Sequence, residues 1–186
     1  RQTRPDLRLV LVPRHFERSA EVEAEIARAG FACLRRSRLA DGAVAPAAAA
    51  AGDAVLLVDT TGELMGFYAH ASFVFVGKSL CAHGAQNMIE PCLCGAATVV
   101  GPHTENFRPV MADLLEAGAI LQVADAAALE QTLARLADDA NERRALGRRA
   151  ADAVARRRGV AGRCAAWILD DTASGPAPLP ESVACG

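Results

Sequence analysis

The chain has no surplus of charge of either sign. Its 20 Lys and Arg stand against 22 Asp and Glu, a net charge of -2 at pH 7. A general nucleic-acid binder would be basic, so the balance argues against that class. No apolar run approaches the roughly 18 residues that a membrane-spanning helix needs. No signal peptide is visible, and the first residue is Arg1 rather than Met. That start is expected of a piece of a longer product or of a trimmed one. Paired C-x-x-C spacing, the mark of many zinc sites, is missing. Cys92-x-Cys94 is the one close pair, and neighbours two apart on a helix face different ways. Cys33, Cys81, Cys92, Cys94, Cys164 and Cys185 therefore read as free, mostly buried thiols in a reducing cytosol. The G-x-G-x-x-G fingerprint is absent after the first strand, which disfavours NAD. Walker A is absent too: Gly77-Lys78-Ser79 has no glycine loop ahead of it.

What is present is a globular composition, 52% hydrophobic and 23% charged over 186 residues, enough for one domain with a core. Apolar runs at 7–12, 31–36, 54–58, 73–76, 98–100 and 119–123 predict strands. Helices are predicted over 19–29, from about 64 to 71, 87–94, up to about 117, and through an Arg-rich stretch to about 169. Residues 37–53, rich in Ala, read as a loop or short helix. Strictly alternating strands and helices predict an α/β fold, a Rossmann-like parallel sheet with helices on both faces. The domain is expected over 1–170, with an extended tail at 171–186 carrying Pro176, Pro178 and Pro180.

Four polar clusters each follow a predicted strand: Pro13-Arg14-His15, Asp59 to Glu63, Gly77 to Glu90, and Gly101 to Asn106. Parallel strands bring such clusters to one edge, where open α/β sheets bind ligands. Arg14 carries a planar fork of donors for phosphate or carboxylate, or else a surface ion pair. Gly62 and Glu63 sit at a helix start that favours an anion; alternatively, Thr60 or Thr61 caps that helix and Glu63 complements its dipole. Ser79, Gly84 and Asn87 can offer donors to a phosphate. Glu90 can accept two hydrogen bonds from a ribose diol, or can simply favour its helix as a first-turn acid. His83 and His103 read as loop residues rather than catalysts. Arg143, Arg144, Arg148, Arg149, Arg156, Arg157, Arg158 and Arg163 form a basic run. It reads as a solvated face, or as a surface for anionic lipids.

Taken in order, these clusters resemble the Kdo (3-deoxy-D-manno-octulosonic acid) transferases of lipopolysaccharide synthesis. The matching residues are Pro13-Arg14-His15; Asp59-Thr60 with Gly62-Glu63-Leu64; and Phe75-Val76-Gly77 with Ser79-Leu80. They continue through Gly84, Asn87 and Glu90-Pro91 to Gly101-Pro102-His103-Thr104 with Asn106-Phe107. The resemblance implies the C-terminal, donor-binding half of a GT-B glycosyltransferase. Such an enzyme moves Kdo from CMP-Kdo to a lipid A precursor with inversion, and needs no metal and no cofactor. Arg14, Gly62, Glu63, Ser79, Asn87 and Glu90 would hold CMP, with Glu90 on the ribose. Lys78 and His103 are candidates for further donor contacts. The general base and the membrane anchor would belong to an N-terminal half. This chain alone is therefore expected to be soluble and inactive, and the full protein to work at the cytoplasmic face of the bacterial inner membrane. Lys78, Ala85, Gln86 and Met88 depart from the commoner pattern of the family and are where a different specificity would be written. Two other readings stand beside this one. One is half of another nucleotide-sugar transferase or epimerase; the other is a non-catalytic nucleotide-binding module.

Overall fold

The computed structural model describes residues 7–39 and 54–156. Among the described residues there are six strands: β1 (Val10–Leu11), β2 (Ala32–Arg35), β3 (Ala54–Leu57), β4 (Phe73–Val76), β5 (Ala97–Val100) and β6 (Leu121–Gln122). All pairings are parallel. The α-helices are α1 (Ser19–Arg28), α2 (Leu64–His70), α3 (Lys78–Cys81), α4 (Ile89–Leu93), α5 (Arg108–Glu116), α6 (Ala126–Asp138) and α7 (Ala140–Arg156).

Hydrogen bonding divides the strands into two ladders, β1-β3-β2 and β4-β5-β6. The expected parallel α/β architecture is present, but among the described residues β1 and β4 share no ladder. In the first ladder Val22 and Ile26 of α1 pack on Val55 and Leu57. In the second, β5 is buried at all four positions. Side chains alternate across a strand, so β5 feeds two cores. Val100 joins Val76, Met88, Cys92, Met111, Leu114 and Ala150 on one face. Ala97 and Val99 join Leu136 and Leu146 on the other. Helices therefore cover both faces of this sheet.

Helix α3 is a single turn inside the expected loop after β4, and the one long helix expected after β6 is two, α6 and α7. They part at Asp139, whose carboxylate accepts from the N–H groups of Asn141 (2.8 Å) and Glu142 (2.9 Å). An acceptor there satisfies donors that a helix start leaves open. Arg143 then reaches back to the Leu136 and Ala137 carbonyls at the end of α6. Most of the expected 37–53 loop, the helix beyond 156 and the tail lie outside the described residues, as do Arg157, Arg158, Arg163, Cys164 and Cys185. Cys33, Cys81, Cys92 and Cys94 are free thiols. Burial pushes the Cys92 thiol up to about 11, which suits a packing role.

Candidate functional site

Each ladder carries its polar clusters at the C-terminal ends of its strands. In the first ladder β1 runs into Arg14 and β3 into residues 59–63. Arg14 is exposed and has no side-chain partner among the described residues. Gly62 has φ +87°, a left-handed turn that glycine makes without strain, directly ahead of α2. The carboxylates of this cluster are engaged inside the fold. The Asp59 side chain is 2% exposed and paired with Arg35 at 2.7 Å. It also accepts from the Ser37 N–H (2.9 Å) and hydroxyl (2.6 Å). Burial alone would raise its pKa; the Ser37 and Arg35 donors outweigh that and hold it at about 2. Glu63 pairs with Arg36 at 2.8 Å and accepts from the Thr60 hydroxyl. Arg35 and Arg36 were read only as a strand end. Their partners lie 24 and 27 residues away, so nothing local marks them.

In the second ladder the long loop after β4 meets the loop after β5. Ser79, expected to offer a donor, is fully buried. Its hydroxyl donates to the Val76 carbonyl and accepts from the Gly101 N–H at 2.7 Å. Both roles fasten β4 to β5, so its side chain is structural in this conformation rather than turned to a ligand. Gly101 is required by the same junction: a Cβ there would lie 2.4 Å from the Ser79 carbonyl oxygen and 2.5 Å from the Leu80 Cα.

Asn87 and Glu90 form a local unit at the start of α4. The Asn87 side chain accepts from the Ile89 N–H (3.0 Å) and donates to Glu90 Oε1 (2.9 Å). The Glu90 Oε2 atom has no hydrogen-bond partner among the described residues, leaving an acceptor for a ligand hydroxyl. Helices α2 and α4 pack together, and the Cys94 thiol meets the Met65 carbonyl at 4.0 Å. The Glu90 charge reaches Tyr68 of α2, contributing after burial to the raised pKa of that phenol. This contact brings the cluster after β3 and the cluster after β4 to one region.

Asn106 clamps the two loops of the second ladder. It accepts from the Ala85 N–H (2.8 Å) and donates to the Ala85 carbonyl (3.0 Å). Glu105 accepts from the Gly84 N–H (3.2 Å). Its own backbone N–H, then that of Gly84, hold its carboxyl at about 2, with His103 and His83 assisting. Lys78 Nζ stands 3.7 Å from where a Cβ on Gly84 would be, so its charge lies beside this clamp.

A parallel α/β architecture with polar loops at the C-terminal ends of its strands is that of a Rossmann-like domain of the GT-B glycosyltransferase class. No family model matches the chain. The chain is 40% identical over 138 residues to the 3-deoxy-D-manno-octulosonic acid transferase of Bordetella pertussis, covering 71% of this chain and 30% of that protein. It is 33% identical over 159 residues to the enzyme of the same name from Haemophilus influenzae, covering 84% and 35%. The chain thus spans about a third of the length of these curated relatives. Its fold matches the crystal structure of the C-terminal CMP-Kdo binding domain of WaaA from Acinetobacter baumannii. The TM-score is 0.71 at 26% identity, over 82% of this chain and 76% of that one. By sequence and fold, this chain resembles the C-terminal donor-binding domain of the Kdo transferases.

Proposed function

We propose that this chain is the donor-binding half of an inverting, metal-independent glycosyltransferase that moves Kdo from CMP-Kdo to a lipid A precursor. The observation that carries the reading is the match in fold to a CMP-Kdo binding domain, joined to an exposed Arg14 and a Glu90 that, among the described residues, is bonded through one oxygen only. CMP leaves as a phosphate monoester whose developing charge needs fixed donors. Arg14 supplies a permanent cation, and the backbone around Gly62 and Glu63 supplies N–H groups. Glu63 acts through Arg36, holding that turn in shape. Asn87 orients Glu90, which takes the ribose diol. Ser79 keeps the β4 and β5 ends together beneath them. Lys78 adds charge near the donor, and His103 lines the same rim.

The base that activates the acceptor belongs to an N-terminal half, so this chain alone binds donor without turnover. The whole protein works with that half at the cytoplasmic face of the inner membrane. Among the described residues, no helix is long and apolar enough to cross a membrane. In calorimetric titration of the chain with CMP, UMP and UDP, CMP is expected to bind tightest. Tighter binding of UDP would replace this reading with that of a UDP-sugar enzyme.

A further inference from the structure

The loops after β4 and β5 bring together three side chains with the chemistry of metal ligands: His83, His103 and Glu105. Glu105 Oε1 lies 3.4 Å from His83 Nδ1 and 3.4 Å from His103 Nδ1. An N–H···O hydrogen bond settles near about 2.9–3.0 Å, so both contacts are long for that. They suit a shared cation better. Ligands about 2.0–2.1 Å from a tetrahedral zinc ion stand about 3.3 Å apart. The three ligand atoms all lie within 4.8 Å of one another. The remaining adjustment falls to the His83 ring, which is 90% exposed and meets the His103 ring edge-on at 4.9 Å.

The surroundings hold the ligands in place. Glu105 Oε2 is occupied by the Gly84 N–H, which leaves Oε1 facing the imidazoles. The backbone N–H of His103 donates to the Ser79 carbonyl at 2.9 Å. Asn106, next in sequence to Glu105, locks the His83 loop through both polar groups of Ala85. Hydrogen-bonded supports of this kind fix ligand orientation in metal sites. No spacing rule flags the trio, because His83 comes from one loop and His103 and Glu105 from another.

We propose that His83, His103 and Glu105 form a binding site for one divalent transition-metal ion, with zinc the best fit to two imidazoles and a carboxylate. Three protein ligands leave a fourth position for water or an anionic oxygen. The site shares His103 with the rim of the donor pocket proposed above, while the transfer reaction itself needs no metal. Its test reads binding alone.

The metal-free chain would be titrated with Zn²⁺ against a chromophoric chelator, and with Co²⁺ to record its visible spectrum. One Zn²⁺ per chain is expected, with a Co²⁺ spectrum free of thiolate charge-transfer bands. His83→Ala, His103→Ala and Glu105→Gln should each weaken Zn²⁺ by at least the roughly 10–100-fold that losing even an outer-shell partner costs. Cys81→Ser should bind as the parent does. The His83 side chain is 90% exposed, so His83→Ala keeps its fold and decides the matter by itself. Failure to take up stoichiometric Zn²⁺, unchanged affinity in His83→Ala, or thiolate bands would each overturn the proposal.

Discussion

Among the described residues Glu90 is held from one side only: its Oε1 atom accepts from Asn87, and Oε2 has no partner. A carboxylate in that state can take a hydroxyl pair without first breaking an internal bond. Glu90→Gln keeps the shape and removes the charge. Calorimetry should find CMP binding weakened by about 1.5–3 kcal/mol, the range for hydrogen bonds to charged groups. An unchanged affinity would leave Glu90 as a residue of its helix alone. At this scale the sequence was a partial guide. Glu90, Asn87 and Gly62 stand at element starts, as their spacing implied. Ser79 and Asp59 look equally polar in the sequence, yet both are spent inside the fold. Nothing local announces that difference, because the groups that occupy them, Gly101 for one and Arg35 and Ser37 for the other, lie more than 20 residues away.

Among elements, the junction of β4, α3 and β5 shapes the site most directly. Gly101 ends β5 where the backbone of Ser79 and Leu80 passes too close for any side chain. The obstacle is main chain, which no rotamer change can relieve. Gly101→Ala should therefore destabilise the protein by about 1–3 kcal/mol, as overpacking does. A shift in the urea midpoint would measure this, and a variant as stable as the parent would refute the close approach. The strands were readable because continuous apolar runs bounded by Gly, Pro and polar residues leave few alternatives. Helix α3 escaped because one turn carries no periodicity. The break between α6 and α7 is marked in the sequence by Asp139, a favoured N-cap with Glu142 three residues on. A long Ala- and Arg-rich run on both sides masks it in a reading by periodicity alone.

For the whole molecule, stability in acid depends on how the first ladder is tied at its C-terminal edge. Asp59 joins β3 to the end of β2 through Arg35 and Ser37. Its folded pKa is about 2, against an ordinary 3.8. A carboxylate lowered on folding stabilises the native state above its unfolded pKa. That stabilisation is lost as the pH falls through the folded value. The parent should therefore exceed Asp59→Asn in urea stability near neutrality, and the margin should shrink from about pH 4 down to about pH 2. A margin independent of pH would show that the Asp59 charge does not carry it.

The sequence by itself determined the α/β class, the strand positions, the four strand-end clusters and the likeness to Kdo transferases. Periodicity, turn residues and motif order are local properties, and they survive in one dimension. Tertiary structure decided which polar groups remain open to a ligand. It seated Asp59 and Ser79 in internal bonds, left Arg14 and half of Glu90 without partners among the described residues, and gathered His83, His103 and Glu105 from separate loops. Those outcomes depend on desolvation and on partners distant in the chain. Both are fixed only when the strands pair and their loops meet.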